Sequence, residues 1–178
     1  HLAVQSHKPV IVIGAMRPAT AYSADGPANV INACTVGAHP GAKGRGTMVL
    51  MNGRIHSALL VSKRHVSSIE AFDSGFEGAL GEVADGTVRW FRPAHRIKPL
   101  ALPEGCELPR VDLISAYAGA DDVAIKAFIG AGARAIIHAG LGNGNAPPGA
   151  RETLKRLGEH HVWLGRCSRW IPGSITRN

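Results

Sequence analysis

No stretch of this 178-residue chain approaches the ~20 consecutive apolar residues that a membrane-spanning helix needs, so no span is expected. Cysteine is scarce: Cys34, Cys106 and Cys167 stand far apart, odd in number and in no C-x-x-C pair, which argues against a disulfide framework or a thiolate zinc site. Aromatic residues make up only 5%. The net charge of +7 and pI near 9.8 come from scattered lysines and arginines with no run of five. A nucleic-acid platform interleaves basic and aromatic residues, so no nucleic-acid partner is expected. The nine histidines, His160-His161 included, lack metal-ligand spacing, and no metal is assigned. There is no G-x-S-x-G elbow, no serine triad, no internal repeat and no low-complexity tract.

What is present is 45% hydrophobic residues, enough for one large domain or two small ones, with 22 glycines and 11 prolines to make many loops. The stretch from Pro9 to Asn32 organises the rest. Val10 to Ile13 is an unbroken β-branched run, read as a parallel strand buried on both faces. Gly14-Ala15 opens the backbone where the strand leaves the sheet, the end at which α/β sheets bind ligands. Arg17-Pro18 stops the strand, and Asp25-Gly26-Pro27 starts a helix with a cap-type residue ahead of a first-turn proline. Cys34 falls on that helix as a small core residue. The chain opens with His1 in what reads as a helix tail, and the sequence looks like the interior of a longer one.

Thr47 to Met51 is a strand, and Asn52-Gly53 predicts a type I′ hairpin turn with a return strand from Arg54 to Ser62. Ser67 to Glu70 has capping-box form and predicts a short helix through Phe72. Glu82 to Trp90 reads as a second hairpin turned at Asp85-Gly86. Residues 92–110 then carry prolines without periodicity, the mark of an extended linker.

A second unit opens with a strand from Val111 to Tyr117. Asp121-Asp122 caps a helix whose face is set by Ala124, Ala127, Phe128 and Ala131, and Gly132 ends it. Ala135 to Ile137 is another strand, residues 151–160 are helical, and Val162 opens a third strand. Strand–helix–strand–helix–strand implies a parallel sheet with right-handed crossovers. The fold class is therefore α/β, with a larger unit over 1–91, a linker over 92–110 and a smaller doubly wound unit over 111–178.

Two segments could carry chemistry. Lys63 follows a hydrophobic strand in Val-Ser-Lys, where a solvated strand end is the ordinary explanation. Gly140 to Asn145 (GLGNGN) sits between a strand and a helix, but Asn145 occupies the third glycine position of a dinucleotide fingerprint and Ala-Pro-Pro follows. That leaves a glycine-rich turn or a ligand loop.

The string GAMRPATAYSADGPANVINA, with GRGTMVLMNGRIHSA, YAGADD and GLGNGN downstream, resembles the bacterial L-asparaginases over nearly the whole chain. The resemblance implies an amidohydrolase without cofactor. A threonine hydroxyl would attack the side-chain amide of L-asparagine, with L-glutamine as a second candidate substrate, releasing ammonia. It makes Lys63 catalytic, turns the Ala15 backbone carbonyl toward the substrate amide, and places Asn145 near the substrate's amino group in a neighbouring subunit of a homotetramer. The family's Thr-Ile nucleophile segment and Thr-Asp segment do not occur in these residues. The run Arg64-His-Val after Lys63 also departs from the family's threonine-rich one. The amidase subunit of a tRNA-dependent amidotransferase and a non-catalytic α/β ligand-binding module are the alternatives. Localisation stays open between periplasm and cytoplasm.

Overall fold

The two turns that the sequence marks most strongly both form in the computed structural model, which describes residues 1–94, 97–170 and 175–176. Asn52 and Gly53 have φ of 49° and 73°, and Asp85 and Gly86 of 48° and 72°, the positive values that a type I′ turn requires. They close hairpins between β2 (Thr47–Met51) and β3 (Arg54–Ser57), and between β6 (Gly81–Ala84) and β7 (Thr87–Trp90). With β1 (Val10–Ile13) these strands form one sheet in the order β1-β2-β3-β6-β7. β1 and β2 run parallel, Val10 facing Thr47, joined through α1 (Gly26–Ala38). The remaining pairs are antiparallel. A two-strand ladder, β4 (Ser62–Lys63) with β5 (Phe72–Asp73), stands apart from this sheet. All of it belongs to one compact unit, His1–Glu104.

The core of this unit is Val36 of α1, Met48 and Leu50 of β2, Ile55 of β3 and Val83 of β6, with Ile11 and Ile13 packed against it. Five sequence expectations change here. Among the described strands β1 stands at the end of the order, with Val10 and Val12 exposed and Ile11 and Ile13 turned toward the core. The β-branched run signalled the strand, and among the described residues one of its faces is covered. The strand from Arg54 ends at Ser57, because Leu60 and Val61 donate back to the Ser57 carbonyl. Ser67 to Glu70 forms no helix, since His65 Nδ1 accepts from the Ser67 and Ser68 N–H groups and Phe72 pairs with Lys63 as a strand. Cys34 is exposed on α1, and His1 to Ser6 is not helical.

A buried arginine straps the far edge of the sheet. Arg45, 6% exposed, donates from Nε to the Gly41 carbonyl at 2.6 Å and from a terminal nitrogen to the Arg92 carbonyl at 3.1 Å. Its guanidinium lies 3.8 Å from the centre of the Trp90 ring. Trp90 Nε1 in turn donates to His39 Nδ1 at 3.3 Å. Glycine is required at Gly41, where a Cβ would lie 2.6 Å from Trp90 Nε1.

The described residues between Arg92 and Arg110 form neither helix nor strand; His95 and Arg96 of the expected linker lie outside the described residues. The second compact unit, Gly105–Asn178, carries β8 (Val111–Ser115), α2 (Val123–Gly130), β9 (Ala135–Gly140), α3 (Pro148–Lys155) and β10 (Trp163–Ser168). Its sheet is parallel with β9 central, Arg166 and Ile114 both facing His138. Ile125 and Leu154 bring the two helices onto Ile136. The face of α2 that packs is Ile125, Phe128 and Ile129; Ala124, Ala127 and Ala131 are exposed. Larger side chains bury more apolar area, so they override the alanine spacing. Asp122 does not cap α2 through its side chain but holds Thr153 Oγ1 at 2.6 Å and Lys126 at 2.9 Å. The helix expected to His160 tightens into a 3-10 turn over Leu157–His160. The chain is a mixed α/β protein.

Candidate active site

The loop after β1 is held by two side chains from the start of α1. Asp25 and Asn29 are four residues apart, so both rise from one face of the helix. The Asp25 carboxylate accepts from the Met16 N–H at 2.9 and 3.1 Å and from the Arg17 N–H at 2.9 Å. Asn29, 1% exposed, donates from Nδ2 to the Gly14 carbonyl at 2.9 Å and to Asp25 at 3.3 Å, while its Oδ1 accepts from the Asn52 N–H at 3.0 Å. Arg17 closes the far side onto Ser23 Oγ at 2.6 Å. The Met16 N–H, joined by that of Arg17 and by its charge, holds the Asp25 carboxyl below its ordinary value against a burial that pushes the other way.

Ala15 lies between these clamped groups. The carbonyl before it and the amide after it are both taken, and Ala15 is exposed with its own carbonyl bonded to no described residue. The backbone at the carboxyl end of β1 thus presents one free acceptor in a fixed orientation. From the sequence, Asp25 passes for an N-cap. Structurally its side chain caps the loop instead, and the Asp-x-x-x-Asn spacing was the signal for it.

Lys63 ends β4 opposite Phe72 and is exposed. Among the described residues no carboxylate lies within ion-pair distance of it, so the carboxylate-paired lysine of a proton relay is not assembled by this chain's described residues alone. Beside the same ladder lies a cleft of about 340 Å³, lined by Asn52, Arg54, His56, Glu70 and Asp73 among others. His56, which sequence reasoning passed over, is 4% exposed, with Nδ1 2.8 Å from Ser74 Oγ and Nε2 buried without a partner among the described residues. Burial, with the Arg54 charge adding to it and Asp73 opposing, lowers its affinity for a proton.

In the second unit the Gly140–Asn145 turn folds back on itself. Leu141 and Asn145 exchange backbone hydrogen bonds of 2.9 and 2.8 Å, and a Cβ on Gly140 would collide with the Gly144 backbone. The two asparagines of the turn have different work. Asn143 holds Thr176 through Nδ2 and Oδ1, both at 2.8 Å. Asn145 is exposed, and no described residue bonds its side-chain amide. The amide is thus presented at the carboxyl end of a central strand, where α/β sites form. Among the described residues no three His, Cys, Asp or Glu side chains cluster as metal ligands, and no helix is long and apolar enough to cross a membrane.

Comparison with known proteins gives these elements a context. Residues 1–96 match the model for "Asparaginase, N-terminal" and residues 110–178 that for "Glutaminase/Asparaginase C-terminal domain". The chain is 41% identical to the glutaminase-asparaginase of Pseudomonas fluorescens biotype A, with 100% of this chain and 50% of that protein covered. It is 36% identical to L-asparaginase 2 of Bacillus subtilis, with 100% and 48% covered. The structure of a probable cytoplasmic L-asparaginase from Campylobacter jejuni matches with a TM-score of 0.95 at 35% identity, covering 99% of this chain and 60% of that one. The chain spans about half the length of the curated relatives it matches. On the strength of both family models and of a fold shared at this identity, the chain belongs to the asparaginase family.

Proposed function

We propose that the protein carrying this chain hydrolyses L-asparagine to L-aspartate and ammonia. The observation that carries this reading is the clamped loop after β1, which leaves the Ala15 carbonyl as a fixed, unoccupied acceptor. Such a group suits the N–H of a substrate's side-chain amide, and it needs no rearrangement on binding. A threonine hydroxyl outside these 178 residues attacks the amide carbon. The resulting acyl-enzyme is released by water, with backbone donors stabilising the oxyanion. Lys63 serves the proton transfers that activate the hydroxyl, through a carboxylate that the same outside segment supplies.

The Asn145 amide, exposed and unbonded, acts on the substrate's α-amino end in a neighbouring subunit of a homotetramer; an amide oxygen accepts from an ammonium while its nitrogen donates to a carboxylate. The 41% identity to a glutaminase-asparaginase favours glutamine as a second substrate. Ammonia release from each amino acid by the full-length protein tests the reading. Asparagine turnover well above background is expected, with Asn145→Ala raising KM. Absence of turnover on both substrates overturns it.

A further inference from the structure

The core of the second unit ends short of the carboxyl end of its sheet. Ile136 and His138 rise from the same face of β9, two residues apart, and α3 covers Ile136 through Leu154. Beyond them a cavity of about 440 Å³ opens among His138, Leu154, Leu164, Arg166 and the Asn145 turn, with Arg151 and Lys155 of α3 at its rim. Arg151 and Lys155 share a helix face by their i, i+4 spacing, and Arg166 stands in register with His138 on the neighbouring strand.

The charged groups that line the cavity are all cationic. Arg151, Lys155 and Arg166 line it, and no aspartate or glutamate does. Among the described residues Arg166 donates to the Asn143 carbonyl at 3.3 Å and Arg151 to the Ala146 carbonyl at 3.5 Å. Lys155 pairs at the surface with Glu152, which lies outside this cavity. His138 is the second, independent sign. It is 2% exposed, lines the cavity, and makes no side-chain hydrogen bond among the described residues. A ring nitrogen that no described residue bonds is open to a ligand in the cavity that the ring lines. Burial, with the Arg166 charge second, holds the imidazole below its ordinary value, so it enters the site as a neutral donor.

We propose that this cavity binds a small oxyanion of the phosphate class, with Arg166 and Arg151 taking its oxygens and His138 donating from the buried side. Guanidinium forks match the paired oxygens of such groups, and the apolar floor of Leu154 and Leu164 leaves room for a small organic substituent. The cavity shares Asn145 with the substrate contact proposed above, but its occupancy is measured as binding and not as turnover, so the two readings fail separately.

The test is a titration of the full-length protein with inorganic phosphate at constant ionic strength, sodium chloride making up the balance. Saturable heat by calorimetry and saturable movement of the His138 imidazole NMR signals are expected, with chloride alone moving neither. Arg166→Gln should weaken the apparent affinity about tenfold or more, the size of one lost charge-assisted hydrogen bond. If Arg166→Gln disturbs the turn it supports, Arg151→Gln on the outer face of α3 gives the same reading without touching the sheet. Phosphate binding that both variants leave unchanged, or a response that chloride reproduces, overturns the proposal. A glycerol phosphate titration separates the two sources of the anion: tighter binding than inorganic phosphate identifies an organic ligand, and equal or weaker binding identifies the free oxyanion.

Discussion

Asn29 tests whether the loop after β1 is clamped as described. Replacing it with alanine removes donated hydrogen bonds to the Gly14 carbonyl, Asp25 and the Met51 sulfur, of 2.9, 3.3 and 3.9 Å, and one accepted from the Asn52 N–H at 3.0 Å. The Gly14 carbonyl is near enough to the surface to recover water. The Asn52 N–H sits in the turn against the buried Asn29 side chain and is left without its acceptor, at about 1–3 kcal/mol. Adding the lost donor bonds gives an expected cost of about 2–4 kcal/mol. With a urea dependence of about 2 kcal/mol per molar, the midpoint should fall by about 1–2 M.

Asn29→Asp sharpens the test because it is isosteric. It keeps the acceptor for Asn52 but sets a second carboxylate where Nδ2 now stands, 3.3 Å from Asp25. Two carboxylates at that distance repel by about 5 kcal/mol at an effective dielectric of 20, until one takes up a proton. Asn29→Asp should therefore cost at least as much as Asn29→Ala at pH 7, and recover part of the loss below about pH 5. Amide exchange at Met16 and Asn52 should quicken in both variants. A loss under about 1 kcal/mol for alanine, or an aspartate variant as stable as the parent at pH 7, would refute the clamp.

Lys63→Met in the full-length protein should lower kcat by about 10²–10⁴ with an unchanged urea midpoint; a kcat near the parent's removes Lys63 from the mechanism. His56 and His138 both bind protons less readily folded than unfolded, so stability should be full above about pH 6.5 and fall below it; His56→Phe should shrink the loss between pH 7 and pH 5 in urea titrations, and an unchanged loss assigns the acid sensitivity elsewhere. Cys34 and Cys106 should be alkylated in the native protein at rates near those of a free thiol, with Cys167 slower, as mass spectrometry of timed samples would read; a protected Cys34 would return it to the core.

Local chemistry was the legible part of the sequence. Asn-Gly and Asp-Gly fixed both type I′ turns because so few residues tolerate positive φ at two successive positions. The parallel order of β8, β9 and β10 followed from spacing, since a crossover helix leaves no other pairing. What depends on neighbours was not legible. Val10 and Val12 are as β-branched as a central strand's residues, yet nothing in them tells how many strands lie alongside. The Ser67–Glu70 pattern lost to a histidine ring nitrogen and a strand partner, neither of which a four-residue motif contains. Motif matching found Ala15 and Asn145 as positions, but the division of work between Asn143 and Asn145 needed coordinates, and so did the burial of His56 and His138.

The Arg45 strap has a consequence for how this unit comes apart. It joins the segment ahead of β2 to the residues after β7, the opposite end of the sheet order, so its two sides are 47 residues apart along the chain. Contacts of such long range form late and open early, because the intervening loop must be ordered before they contribute. Though burial weakens its hold on the proton, an arginine keeps its charge throughout the physiological pH range. The fastening therefore does not loosen in acid as one built on histidine would. Guanidinium ion offers the same planar cation to Trp90 and the same donors to the two carbonyls. It should unlatch this edge at concentrations below those that melt the sheet, and urea should not. A rise in Trp90 emission ahead of the main guanidinium transition, and its absence in urea, would be the mark of a fold fastened by one side chain.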